Sequence, residues 1–232
     1  LRLENAKHGS RMLESAEIRT ILDNAEQPMR TMVLLGINGG MGNTDCAKLP
    51  MAALDLDGAW LNYPRPKTGI NRRIPLWCET VEALKEWLAV RPKPKKSEHK
   101  PLVFITARKL SWAKNTEDNP TSKEFRKLLD SIHEAAVEEA EKAGTEPPNP
   151  IYRPGIGFYS LRRAFETIGG DSKDQVAVDY LMGHCDNSMA GVYRQKIEDA
   201  RLRAVVDHVH TWLWPPEDDA DDHDADGEGG EL

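Results

Sequence analysis

Hydrophobic residues recur at intervals of three and four along most of the chain, which is the spacing of an amphipathic helix. The pattern predicts a first helix near Leu13, capped by Ser15, and a second helix over about 28–35. Further helices are predicted over 79–88, 122–143, 161–168 (ended by Gly169 and Gly170), 171–183 and 196–213. The chain is therefore predicted to be mainly helical.

Strand-like alternation of apolar and polar residues occurs in three short runs, 53–56, 60–63 and 72–76. Asp57-Gly58 separates the first two runs, and Lys67-Thr68-Gly69 separates the second from the third. Both connections contain the glycine that a tight turn favours. The fold class predicted from these patterns is α+β, mainly α with a small three-stranded antiparallel sheet.

The charge of the chain is concentrated at its end. The 232 residues carry a net charge of −7, and nine acidic residues with no Lys or Arg lie beyond residue 216. Taking those nine from the 38 acidic residues leaves 29, against 31 Lys and Arg, so the remaining body is close to neutral. We expect an upstream linker over 1–12, one globular domain over 13–216, and an acidic disordered tail over 217–232.

Composition and motifs disfavour four classes of protein. Cys46, Cys78 and Cys185 form no Cys-x-x-Cys pair, which argues against a disulfide framework and a metal site. No apolar run approaches the ~20 residues that span a bilayer, so no membrane partner is expected. The glycine-rich run 36–45 lacks the Gly-Lys-Ser/Thr and Gly-x-Gly-x-x-Gly signatures of nucleotide-binding loops. We expect no cofactor.

Candidate chemistry is concentrated between residues 158 and 193. Arg162 and Arg163 open one predicted helix, His184 follows the end of the next, and Tyr193 comes nine residues after His184. A guanidinium and an imidazole can bind a phosphodiester, and a phenol can attack its phosphorus. Taken singly, these residues are also typical of a solvated helix face, a helix stop and a packed core tyrosine.

The ordered set of motifs resembles the catalytic domain of the tyrosine recombinases, the phage integrase family. Tyr159-x-x-Arg162 stands where that family has His-x-x-Arg, and Met182-Gly183-His184 and Tyr193 match its next two motifs. The run 66–76, with Lys67-Thr68-Gly69, resembles its β-hairpin, and 101–106 resembles a strand that precedes its central helix. The resemblance implies site-specific DNA recombination through a 3′-phosphotyrosine intermediate.

Catalytic roles follow from the resemblance. Tyr193 is the expected nucleophile, Lys67 the general acid, and Arg162 and His184 the groups that stabilise charge on the phosphate. Asp45, Tyr159 and Arg163 are expected to support them. Lys67, taken alone, is also typical of a solvated charge on a turn.

Two positions depart from the family pattern. Gly42 stands where the first catalytic arginine belongs, and Tyr159 replaces the histidine of His-x-x-Arg. Gly42 is also explained by a tight turn. The arginines that could replace the missing cation are Arg65, Arg72, Arg73, Arg153 and Arg163.

The resemblance also implies double-stranded DNA as the partner, self-association on DNA as a tetramer, and a cytoplasmic, nucleoid-associated protein of bacterial or phage origin. The last helix either packs on its own core or docks on a neighbouring subunit. Two other functions stay open: a DNA-binding homologue with impaired catalysis, and an unrelated helical interaction domain.

Overall fold

The computed structural model describes residues 11–114, 119–184 and 196–216, and within them the chain is mainly helical with one small sheet. Tyr193 and Cys185 lie outside the described residues, as do 1–10 and the predicted tail 217–232. The helices are α1 Ser15–Asn24, α2 Met29–Gly39, α3 Asn43–Ala47, α4 Cys78–Val90, α5 Pro120–Ala143, α6 Tyr159–Asp171, α7 Gln175–Met182 and α8 Asp199–Leu213. The strands are β1 Leu54–Asp55, β2 Trp60–Asn62 and β3 Arg73–Pro75.

The three strands form an antiparallel sheet in the order β1-β2-β3, which confirms the predicted sheet. Leu61 is central, because it pairs with Leu54 on one side and Ile74 on the other. The chain between β2 and β3 continues as a hairpin, in which Tyr63 donates to the carbonyl of Arg72 and Arg65 donates to that of Ile70. This hairpin carries Lys67 away from the sheet.

Helix α2 is the centre of the molecule. Every residue from Thr31 to Gly40 is buried, as expected for a helix that is apolar on all sides. It packs against α6, α4 and α8. The predicted end of this helix at residue 35 is wrong, since the helix continues to Gly39 and ends at Gly40 in a left-handed conformation.

Gly36 and Gly39 lie within this extended helix because side chains from other elements pack directly against them and leave no room for a Cβ. A Cβ at Gly36 would lie 2.9 Å from Leu161 Cδ1, and one at Gly39 would lie 2.7 Å from Ile74 Cγ2. Both distances are shorter than carbon atoms tolerate. Glycine therefore serves close packing of α2 on α6 and on β3, and it does not end the helix there.

Four other elements differ from the prediction: α1, α6, α7 and the run 101–106. Glu14 precedes α1 as its cap, in place of Ser15, and its N–H donates to Glu17. Helix α6 runs through Gly169 and Gly170 to Asp171, and α7 starts only at Gln175. The run 101–106 forms isolated bridges rather than a strand, because Leu102 and Ile105 each pair with one residue only.

The final helix, α8, packs on its own core. Its buried side is formed by Leu202, Val205, Val206, Val209 and Leu213. Contacts with α1, α2, α6, α7 and β3 cover this stripe. Of the two alternatives for this helix, the structure supports the intramolecular one. Among the described residues, no helix is long and apolar enough to span a bilayer.

Candidate active site

A cleft of about 550 Å³ opens where α3, the hairpin, α5 and α6 meet. Its lining combines cations with small polar groups: Gly42, Asn43, Thr44, Asp45, Lys48, Arg65, Pro66, Lys67, Asn119, Ser122, Tyr159 and Arg162. Asp45 is the one carboxylate among these residues. The described lining therefore has an excess of positive charge and suits an anion.

Arg162 forms the floor of the cleft and is 1% exposed. Its guanidinium donates to the carbonyl of Gly40 and, at 2.8 Å, to that of Met182. Both carbonyls belong to helix ends, where backbone acceptors lack partners within the helix. Burial, and next the charge of nearby Arg65, lower the pKa of the Arg162 guanidinium from its ordinary value.

His184 follows directly on the left-handed Gly183 that ends α7. Its Nε2 lies 3.0 Å from Nη2 of Arg162, and its Nδ1 lies 3.3 Å from Oδ1 of Asp179. Since the guanidinium can only donate, Nε2 is the acceptor in this arrangement and the proton sits on Nδ1, facing Asp179. The histidine is thus oriented from both sides.

Asp45 is neutralised inside the wall of the cleft. Its Oδ2 lies 3.2 Å from Nη1 of Arg72, and both side chains are nearly or fully enclosed. The same oxygen accepts the backbone N–H of Gly42 at 3.0 Å. Arg72 also donates to the backbone carbonyl of Tyr63. The pKa of the Tyr63 phenol is raised to about 12, first by burial and then by the Asp45 charge.

The hairpin forms the opposite, more exposed wall. Lys67 sits on its turn, exposed to solvent, and lines the cleft. Thr68 Oγ1 and Arg65 Nη1 reach the Gly183 carbonyl at 3.3 and 3.4 Å. These long bonds attach the hairpin to the end of α7, next to His184.

Gly42 faces Tyr159 across the cleft. Its backbone angles, φ −88° and ψ 174°, are open to any residue. A Cβ there would lie 3.7 Å from the Tyr159 ring and 3.8 Å from Asp45 Oδ2, which is ordinary contact. The tight-turn explanation therefore does not hold at Gly42. The glycine that needs its conformation is Gly40, at φ 61°.

Most of the candidate residues predicted from the sequence meet at this cleft. Lys67, Asp45, Tyr159 and Arg162 line it, and His184 contacts Arg162. Arg163 does not line the cleft: its guanidinium donates to the carbonyl of Gly155 at 3.2 Å and lies 5.6 Å from the centre of the Tyr159 ring. Tyr193 lies outside the described residues, so its role stays a prediction.

Sequence reasoning missed three lining residues, Lys48, Asn119 and Ser122. Asn119 caps α5 by accepting the N–H groups of Thr121 and Ser122, and Asn-Pro is a detectable signal for such a start. Ser122 also accepts a hydrogen bond from Asn43 at 2.6 Å, which ties α3 to α5. No comparable sequence signal marks Lys48. Within the described ranges, no cluster of His, Cys, Asp or Glu could hold a metal ion.

Comparison with known proteins gives the following matches. The sequence profile of the phage integrase family matches residues 11–199. No curated protein sequence matches the chain.

Several solved structures share the fold. XerA recombinase superposes with a TM-score of 0.52 at 18% identity, covering 83% of this chain and 62% of its own. The Tn1549 transposon integrase in complex with transposon right end DNA gives 0.56 at 13% identity, covering 87% and 67%. XerH site-specific recombinase bound to palindromic difH substrate gives 0.51 at 16% identity, covering 84% and 52%. The chain thus spans between about half and two thirds of these proteins.

Proposed function

The chain belongs to the phage integrase family, and we propose that it is a tyrosine-type recombinase that cuts and rejoins duplex DNA at specific sites. The observation that carries the proposal is the meeting of Arg162, His184 and Lys67 at one cleft from distant parts of the chain. The family match also removes the third hypothesis, an unrelated helical interaction domain.

The proposed chemistry begins with Tyr193. Its hydroxyl gives up its proton to water as the phenolic oxygen attacks the scissile phosphorus in line, the bond from phosphorus to the 5′ oxygen breaks, and a 3′-phosphotyrosine ester forms. Lys67 gives a proton to the departing 5′ oxygen, so that a 5′ hydroxyl is released. A 5′ hydroxyl from another strand then reverses these steps and restores the phosphodiester. The ester retains the bond energy, and no nucleotide or metal is required.

Arg162 and His184 serve the phosphate oxygens. The Arg162 guanidinium is fixed by two carbonyls and therefore needs no reorganisation when charge grows on the phosphate. In the free protein its Nη2 faces Nε2 of His184 at 3.0 Å. A phosphate oxygen entering here is a better acceptor for the guanidinium, and a protonated His184 would donate to the same phosphate.

Asp45 and Tyr159 have supporting roles. Asp45 is occupied by Arg72 and by the Gly42 N–H, so it positions the wall and takes no proton from substrate. Tyr159 is 45% exposed on the cleft and offers one neutral hydrogen bond. We leave Arg163 out of the phosphate site, because its guanidinium is directed to Gly155.

The proposed partner is double-stranded DNA, met in the cytoplasm. Among the solved structures with the same fold, the Tn1549 integrase is in complex with transposon right end DNA, and XerH is bound to palindromic difH substrate. Exchange of both strands between two duplexes requires four cuts, and each cut uses one tyrosine. We therefore propose that copies of the chain assemble on DNA as a tetramer.

Trapping of the covalent intermediate tests the function. The 232-residue chain is mixed with a pool of duplexes that carry a nick within randomised sequence. After cleavage near the nick, the short fragment that carries the new 5′ hydroxyl diffuses away, so the protein stays linked to the DNA. Protein linked to DNA survives denaturing electrophoresis, and sequencing of the captured DNA gives a substrate. We expect an adduct with the wild type and none with Tyr193→Phe.

The same experiment separates the remaining alternative, a DNA-binding homologue without catalysis. Such a protein binds DNA with strong salt dependence, and Tyr193→Phe leaves its affinity unchanged. Salt-sensitive binding by the wild type without any adduct across the pool would reject the enzymatic proposal in favour of this alternative.

A further inference from the structure

The cleft has more cationic groups than the proposed chemistry has used. Besides Arg162 and Lys67, its lining includes Lys48 and Arg65. Its one described carboxylate, Asp45, is paired with Arg72. A phosphodiester bound here would meet two guanidinium groups, and the second one needs a role.

Gly42 lines the cleft, and the space that a longer side chain at this position would occupy is not filled by Gly42 itself. A Cβ at this position would point between the Tyr159 ring and Asp45 Oδ2 without clashing with either. Glycine offers no side chain to this space, and its N–H is already donated to Asp45. A cation at this end of the cleft must therefore come from another part of the chain.

Four of the five arginines considered above do not line the cleft. Arg72 lies behind Asp45, whose carboxylate offsets its charge, and its buried Nη2 has no hydrogen-bond partner among the described residues. Arg73 is paired with Asp199 at 3.2 Å and stacked on Trp60. Arg153 is bound to Glu17. Arg163 donates to Gly155.

Arg65 lines the cleft, and most donors of its guanidinium have no partner among the described residues. The hairpin fixes its backbone, because its carbonyl accepts the N–H groups of Thr68 and Gly69. Its side chain packs over Gly183, where an added Cβ would come within 3.0 Å of Arg65 Cβ. Its one hydrogen bond from the guanidinium among the described residues is the 3.4 Å contact with the Gly183 carbonyl. A phosphate oxygen is a stronger acceptor than that carbonyl.

We propose that Arg65 supplies the guanidinium that position 42 lacks and, with Arg162, binds the non-bridging oxygens of the scissile phosphate. This inference rests on the proposed function. Arg65 forms and breaks no covalent bond. It stabilises the negative charge that builds on the phosphate oxygens while Tyr193 attacks and the 5′ oxygen leaves.

The test compares Arg65→Ala with Arg30→Ala. Arg30 is an exposed arginine at the far end of α2 and serves as the matched control. Single-turnover adduct formation is measured at saturating concentrations of the captured nicked duplex. Removal of one donor to a developing oxyanion typically costs about 10²–10³-fold in rate. We expect that loss for Arg65→Ala, a smaller loss for Arg65→Lys, and the wild-type rate for Arg30→Ala.

A second substrate distinguishes the loss of a positive charge at the phosphate from a structural defect of the Arg65→Ala variant. In a methylphosphonate a methyl group replaces one non-bridging oxygen, so the scissile group is uncharged. With this substrate, we expect Arg65→Ala to react within about tenfold of the wild type, because the charge that Arg65 stabilises is absent. We also expect Gly42→Arg, added to Arg65→Ala, to restore cleavage of the ordinary phosphodiester by at least about tenfold.

The possible failures are distinguishable. If the wild type forms an adduct and Arg65→Ala matches it on the phosphodiester, the role of Arg65 is wrong and the proposed function stands. An equal defect of Arg65→Ala on both substrates also rejects the role, because it indicates a general structural loss. If the wild type forms no adduct, the proposed function fails. Arg65 is then judged by binding: Arg65→Ala must bind the phosphodiester nick more weakly than the wild type while binding the methylphosphonate nick equally.

Discussion

On the buried wall of the cleft, Asp45 and Arg162 line the space and Arg72 lies behind Asp45, and all three charged groups are almost completely enclosed. On the hairpin wall, residues 65–70, Lys67 is exposed and Arg65 is only partly covered. Both walls present cations to the same space, but only the first is part of the hydrophobic core. This difference indicates that Arg72 and Arg162 contribute to the stability of the fold, whereas Arg65 does so much less and is accessible to a substrate.

The two walls also differ in the strength of their hydrogen bonds. Arg162 satisfies two carbonyls at helix ends, and Arg72 satisfies a carboxylate and the Tyr63 carbonyl. The hairpin wall is attached at Gly183 by bonds of 3.3 and 3.4 Å, near the upper limit for a hydrogen bond. Substitution in the buried wall should therefore reduce stability, and substitution in the hairpin wall should mainly reduce activity.

The largest expected effect is that of Arg72→Met. This change leaves Asp45 buried without its counterion, and loss of one partner of a buried ion pair costs about 3–5 kcal/mol. Its sequence neighbour provides the control, because the Arg73–Asp199 pair is 34% and 47% exposed. Arg73→Met should cost at most about 1 kcal/mol. Urea unfolding measures both, and equal losses would contradict the distinction between buried and exposed pairs.

Arg162→Met should be the next most damaging change to the fold. It leaves the carbonyls of Gly40 and Met182 without a donor in a buried position, at a cost of about 2–4 kcal/mol. Lys67→Met, on the hairpin wall, should change stability by less than about 0.5 kcal/mol. A chain that tolerates Arg162→Met within 1 kcal/mol, by the same urea measurement, would show that water replaces the guanidinium easily.

Alkaline pH should weaken the buried wall through Tyr63. Because its pKa is raised from 10 to about 12 in the folded chain, its contribution to stability is complete below pH 10 and is lost as pH rises from 10 to 12. We expect the free energy of unfolding of the wild type to fall by about 1–3 kcal/mol more than that of Tyr63→Phe over this interval. Parallel pH profiles for the two proteins would refute the burial of this phenol.

The smallest expected effect is that of Thr68→Val, which removes two long hydrogen bonds, one to the Gly183 carbonyl and one from the Ile70 N–H. Local opening of the hairpin should become easier by about 0.5 kcal/mol, so amide exchange at Gly69 should quicken roughly twofold. Amides in the middle of α2 provide the control and should exchange unchanged. Acceleration in both places would indicate that the hairpin is coupled to the core.

The sequence predicted those parts of the fold that depend on local pattern. The helices with clear apolar stripes, such as α5 and α8, and the three-stranded sheet were predicted from spacing alone. The end of α2 was missed because the reason for Gly36 and Gly39 lies in side chains that arrive from elsewhere, Leu161 and Ile74. A glycine chosen for close packing looks, in sequence, like one chosen to stop a helix.

The candidate site divides in the same manner. The spacing of Arg162 and His184, and the turn that carries Lys67, were readable because each lies within a short motif. The five candidate arginines could not be ranked, since their partners are remote: 27 residues separate Arg72 from Asp45, and 136 separate Arg153 from Glu17. Only the folded chain reveals that Arg65, alone of the five, lines the cleft and has guanidinium donors without a partner among the described residues.

The ordinary backbone angles at position 42 have a genetic consequence. Every glycine codon becomes an arginine codon by a single change of its first base from G to C. Since the angles and the surrounding space both accept a side chain, one point mutation would furnish that end of the cleft with a guanidinium without refolding the chain. On the proposed function, selection for faster strand exchange would reach Gly42→Arg in one step, and Arg65 would then be free to vary.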